Sequence, residues 1–191
     1  ELKCNEIKQK MAEPCMSLEQ RLKDLKGIQT EFEPTKMQLS NDQVVNDFND
    51  LNEDLNKQIN LIGQLIGDFT KLNDEIKEKL NQKEPTKCND LNDVNKQIQF
   101  ELKQLNHMKQ KFDNLNSKFD QTFDEPIKCN EFDQLKMLFD QMMNQSNDRI
   151  KKLENEKREI QTSNEQLNEL QNLIDSIEFP SPQPDGSTLN D

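Results

Sequence analysis

Apolar residues return along this chain at alternating spacings of three and four, the period of one face of an α-helix. From 44 to 76, Val44, Phe48, Leu51, Leu55, Ile62, Leu65, Phe69, Leu72 and Ile76 keep a single heptad register, with Gln58 the only polar residue on the seam. A second run, Leu91, Val94, Ile98, Leu105, Met108, Phe112, Leu115 and Phe119, repeats the pattern. A third opens with Phe132, Leu135, Phe139 and Met142 and resumes at Leu153, Ile160, Leu167, Leu170, Ile174 and Ile177. Its seam positions Ser146, Arg149, Glu156 and Ser163 are polar, so the middle of this helix is expected to be its wettest and loosest part. Before residue 33 the stripe is shorter and broken. Cys4, Ile7 and Met11 align with Leu18, Leu25, Ile28 and Phe32, but Pro14 lies between the two halves, where it removes a backbone donor. Ser17 stands three residues before Gln20, the capping-box spacing, so a helix is expected to restart there.

A phrase punctuates these runs. "EPTKCNDL" at 84–91 has a near copy, "EPIKCNEF", at 125–132 and a partial one, "EPTKMQL", at 33–39. Proline suits the first turn of a helix and pushes its predecessor out of helical geometry, so each Glu-Pro is read as the end of one helix and the start of the next. Thr35 with Gln38, Ser40 with Gln43, Thr86 and Asp124 are the candidate caps. The pattern predicts helices over 2–12, 17–32, 41–82, 87–123 and 128–178, with connections short enough to make neighbours antiparallel. The fold class expected is all-α: an elongated antiparallel bundle of long, coiled-coil-like helices. It divides into a broken N-terminal segment (1–32), a long-helix rod (33–179) and a tail, "PSPQPDGSTLND" (180–191), whose Pro, Ser, Gly and Asp content leaves it no stripe to bury and marks it as disordered or a linker.

Composition narrows the partners. The chain has 191 residues, 31% of them hydrophobic, and a net charge of −12, with no Trp or Tyr. So little apolar content argues against a multilayered globule, and only the regular spacing argues against disorder. No segment is basic overall, so nucleic acid and anionic membrane surface are poor partners. The longest uncharged run, Gln58 to Gly67, is about half of what a bilayer span needs, so no membrane insertion is expected. The chain starts at Glu1 without a methionine or a signal-peptide pattern, the expectation being a processed product or a fragment of something larger.

Over about 40–178 the heptads and helix lengths resemble, in architecture, the spectrin-type repeats of cytoskeletal rods, although the tryptophan usual in those repeats is absent. That resemblance implies long three-helix units.

Catalytic chemistry has little to stand on. Cys4, Cys15, Cys88 and Cys129 form no CxxC pair and His107 is the sole histidine, so no metal site, cofactor or triad is expected. Because Cys4, Cys88 and Cys129 each precede a seam residue by three, they read as small buried residues in first turns. The rival readings are disulfides among the four in an extracellular protein and a reactive thiol. The acidic run at 46–56 keeps helical spacing and lacks the glycine turn of a calcium loop. "NQS" at 144–146 is a lone glycosylation sequon on a helix.

One stretch suggests a second contact. In "LIGQLIG" at 61–67, Ile59 and Ile66 widen the seam, and Gly63 and Gly67 form a pair of small residues at helical spacing, which lets another helix approach closely. Together these features predict a non-enzymatic structural or interaction protein: an acidic helical rod serving as spacer or scaffold. Its partners would be other proteins bound through helix packing, self-association included. A cytoplasmic or cytoskeletal setting fits better than an extracellular one. The alternative is a secreted helical binding protein stapled by disulfides.

Overall fold

The computed structural model describes residues 2–12, 17–123 and 129–177. Among these, the chain forms five helices and no strands: α1 (Leu2–Ala12), α2 (Leu18–Lys36), α3 (Asp42–Leu80), α4 (Leu91–Thr122) and α5 (Asn130–Ser176). The tail at 180–191, Cys15, Pro14, Asp124 and Pro126 lie outside the described residues. Helix α3 is the common support, packed against each of the other four.

The heptad residues are what make these contacts. Phe48, Leu51, Leu55, Ile62, Leu65, Phe69, Leu72 and Ile76 are all buried on one face of α3. Along its first half this face takes α2, where Phe32 meets Phe48 at 4.8 Å between ring centroids and Gln29 donates to Asn56. Along its second half it takes α4 and α5. Pairs such as Phe69 with Phe119, and Lys79 with Glu101, show α4 running antiparallel to α3. Phe112 with Phe139, and Glu101 with Ser146, show α5 antiparallel to α4. Stacked and edge-on rings of Phe69, Phe112, Phe119, Phe132 and Phe139 bind the three helices at their crossing, each pair adding about 0.5–1.5 kcal/mol beyond its buried area. One core runs unbroken from Cys4 and Ile7 in α1 through to Met142 in α5. The N-terminal segment therefore belongs to the same packed body as the long helices.

Several boundaries differ from the sequence reading. Helix α2 continues past Glu33 to Lys36 with Pro34 inside it, so the first Glu-Pro does not end a helix. Phe32, buried against Phe48 one turn from the C-terminus, holds that turn in place, and its burial offsets much of the ~3 kcal/mol that a proline costs a helix. Thr35 caps nothing new; its hydroxyl donates back to the Glu31 carbonyl at 2.8 Å. Asn41, not Ser40, caps α3, accepting from the Gln43 N–H at 2.9 Å. Pro85 and Cys88 lie in the connection between α3 and α4, which is capped by Asp90 through the Asp93 N–H at 2.7 Å rather than by Thr86. Cys129 is the N-cap residue of α5, so only Cys4 stands within a first turn. All three described cysteines are buried as expected.

The polar seam of α5 departs from expectation at Ser146 and Arg149, while Glu156 is half-buried and Ser163 exposed. Ser146 is 1% exposed and Arg149 is buried. Ser146 Oγ donates to Glu101 Oε1 at 2.6 Å, and Lys79 Nζ donates to the same oxygen at 2.8 Å and to Gln104 Oε1 at 2.7 Å. Arg149 reaches the Gln82 carbonyl at 2.5 Å. Lys79, Glu101, Gln104 and Ser146, from three helices, thus meet and satisfy one another, which local spacing cannot reveal. Beyond this polar layer lies a second, smaller core of Cys88, Val94 and Leu153, with Ile98 and Ile160 against it.

Candidate interaction surface

Helix lengths decide where the bundle stops. Helix α3 ends at Leu80, whose carbonyl accepts from Gln145 Nε2 of α5 at 3.3 Å. The connection that follows stays on α5: Arg149 reaches Gln82, Lys152 Nζ pairs with Glu84 at 2.8 Å, and the Cys88 N–H donates to Glu156 at 3.4 Å. Helix α4 starts at Leu91, level with the Leu153 and Ile160 end of the small core. Helix α5, 47 residues long and about 70 Å in length, does not stop there.

Every residue from 161 to 177 is exposed. The stripe does not lose its apolar character over this length. Leu167 is 62% exposed, Leu170 54%, Leu173 63%, Ile174 45% and Ile177 55%. Leu167, Leu170, Ile174 and Ile177 occupy the same heptad positions that, earlier in α5, put Leu135, Phe139, Met142 and Leu153 in the core, and Leu173 flanks them. At the base of the overhang, exposed Phe100 of α4 stands over a groove shared with Gln97, Arg149, Leu153 and Glu156. Among the described residues, the overhang is thus a helix with a bundle's inner face and no bundle around it.

The positions singled out in the sequence divide. Ile59 and Ile66 are partly buried and pack against the main core. Beyond the backbone of their own helix turns, no described residue lies against Gly63 or Gly67: a Cβ built on either meets no such atom within 4 Å. Among the described residues, no second helix makes the expected close contact at the glycines. The thiols of Cys4 and Cys88 are free, and burial, first among the causes, pushes both up in pKa, with Glu156 adding to the effect at Cys88. Both are therefore poor nucleophiles near neutral pH. His107 is exposed, and the described residues hold no cluster of His, Cys, Asp or Glu arranged for a metal. The sequon's Ser146 is the hydroxyl sealed against Glu101. No helix among the described residues is long and apolar enough to cross a membrane.

A second feature was not legible in the sequence. Glu131, in the first turn of α5, accepts from the Ser17 hydroxyl at 2.8 Å, from the Leu18 N–H at 3.0 Å and from the Glu19 N–H at 3.4 Å. The Cys129 thiol donates to it at 3.0 Å. A carboxylate of one helix therefore caps the N-terminus of another, and ties α2 to α5 beside Ile66 to Asn73 of α3. Burial opposes the charge, but these hydrogen bonds outweigh it and hold the Glu131 carboxyl down at about 2.

Among the described residues, fold and surface together define an all-α bundle with an amphipathic helix end left unpaired. No family model, no curated protein and no solved structure matches the chain.

Proposed function

We propose that this chain is a non-enzymatic structural or interaction protein, an acidic helical rod that acts as a spacer or scaffold and engages protein partners along a helix face. The observation carrying this reading is the bare stripe Leu167, Leu170, Ile174 and Ile177, held out on a helix whose preceding turns are locked into a core. Exposed apolar patches of this regularity mark association sites rather than solvated surface. The antiparallel trio of α3, α4 and α5 supports the likeness in outline to spectrin-type units, and with it the spacer role.

The test compares the full chain with the double variant Leu167→Asp/Leu170→Asp as baits in cross-linking from the source cells. Both residues are exposed, so the variant keeps its bundle. Proteins retained by the wild type and lost by the variant, further copies of the chain included, support the reading. Identical sets retained by both would overturn it.

A further inference from the structure

The stripe on the α5 overhang has a definite register, and its flanks carry the next clue. With Ile160, Leu167 and Ile174 at one core position of the heptad and Ser163, Leu170 and Ile177 at the other, the positions that would face a partner's flanks are Asn164, Gln166, Gln171 and Leu173 along the middle, with Glu159 and Glu178 beside the two end layers. The four middle ones are uncharged. The charged residues of 161–177, Glu165, Glu169 and Asp175, fall on the opposite face. Coiled coils that choose a different partner do so with complementary charges at the flanking positions. Uncharged middle flanks weaken that selection, and they confine the like-charge clash that two identical helices would otherwise suffer to the ends of the interface.

Other occupants fit worse. Residues 178–191 contain only Phe179 and Leu189 as large apolar residues and three prolines, too few anchors for a stripe about 27 Å long. After Arg158 the chain has no Lys or Arg, so an anionic membrane surface would repel the overhang.

Resting on the interaction reading above, we propose that the partner is a second copy of this chain, its α5 overhang laid antiparallel along the first. Antiparallel order brings Ile160 of one copy against Ile177 of the other, Ser163 against Ile174, and Leu167 against Leu170, with the twofold axis between the two leucine layers. Each tip then lands on the other copy's small core of Val94, Ile98 and Leu153, which Ile160 already touches. The new interface continues a seam already built inside each chain. Antiparallel order also suits the net charge of −12 per copy. It places the two bundles at opposite ends, farther apart than the Debye length of about 8–10 Å, and sets the helix dipoles head to tail. Two such stripes cover on the order of 1,000 Å², the lower limit of a specific interface, so the affinity expected is about micromolar.

Sedimentation equilibrium of the full chain from low micromolar to near millimolar concentration, with small-angle scattering on the same samples, tests this. The expected result is a molar mass rising to twice 22.5 kDa, with a maximum dimension well beyond that of one chain. Leu167→Asp/Leu170→Asp should remain at the mass of one chain with an unchanged thermal midpoint, while Glu169→Lys, on the far face, should still pair. A wild type that stays monomeric throughout, or a double variant that still pairs, overturns the proposal, as does a dimer whose scattering shows the two bundles side by side. The failures separate: a monomer whose stripe still retains other proteins in the cross-linking experiment sinks self-pairing alone, and one whose stripe retains none sinks both.

Discussion

Glu131 couples one side chain to the junction of two helices. Its carboxyl falls from the ordinary 4.5 to about 2 on folding, so the folded state holds the charged form more tightly than the unfolded chain does. For a depressed acid, the linked stability is fully present above about 4.5 and drains away as pH falls toward 2. Allowing for the solvent that reaches this partly exposed group, the contribution is about 1–2 kcal/mol. Glu131→Gln is therefore expected to be less stable than wild type by that amount near neutral pH, with the gap closing in acid. Urea unfolding across the acid range checks it, and a gap independent of pH would contradict it. The glycines offer a prediction of opposite sign. Because no described residue outside their own helix approaches Gly63 or Gly67, the Gly63→Ala/Gly67→Ala variant should gain roughly 1 kcal/mol per site from helix propensity, read as a higher thermal midpoint. Ser17 was legible as a cap from its own neighbours, but its partner in α5 lies 114 residues away. No local pattern carries information over that distance.

At the level of the helices, the polar layer of Lys79, Glu101, Gln104 and Ser146 fixes how α3, α4 and α5 sit along one another. Sliding any of the three by a turn would strand a buried charge, whereas the phenylalanine stack below would tolerate more adjustment. Glu101→Ala leaves Lys79 buried and unneutralised, and is expected to cost about 3–5 kcal/mol. Replacing both, Lys79→Met with Glu101→Leu, should recover most of that loss, since a well-packed apolar pair often matches a buried ion pair. Chemical denaturation of the single and double variants measures the difference. Recovery of stability with broader NMR lines would show that the layer contributes uniqueness of packing more than free energy. Ser146 and Arg149 are visible in the sequence as interruptions of the seam. That Lys79 and Glu101 lie opposite Ser146 is not, and without them the spacing reads as a wet region.

For the molecule as a whole, stability is expected to be uneven along α5. Its first part is held by α3 and α4, whereas residues 161–177 have only hydrogen bonds within their own helix among the described residues, and a helical stretch of that length is marginal alone in water. Amide hydrogen exchange on dilute protein should show rapid exchange over 161–177 and strong protection around Leu135 to Leu153. Raising the concentration should protect the overhang if a second copy covers it, with the rest of the chain unchanged. Uniform protection of α5 in dilute solution would contradict this division of the helix.

The sequence by itself determined that the chain is helical, which residues form each stripe, and that Ser17 begins a helix, because these follow from a period of 3.6 residues and from contacts within one or two turns. Only the tertiary structure decided which parts of a stripe are covered. Leu167 and Leu135 share a register and differ in nothing that spacing records. Leu135 is buried because α3 and α4 lie beside it, and Leu167 is bare because α3 stops at Leu80 and α4 begins at Leu91. Burial belongs to the arrangement of several helices in space, and the ends of those helices set where the apolar face of the fifth is left for a partner.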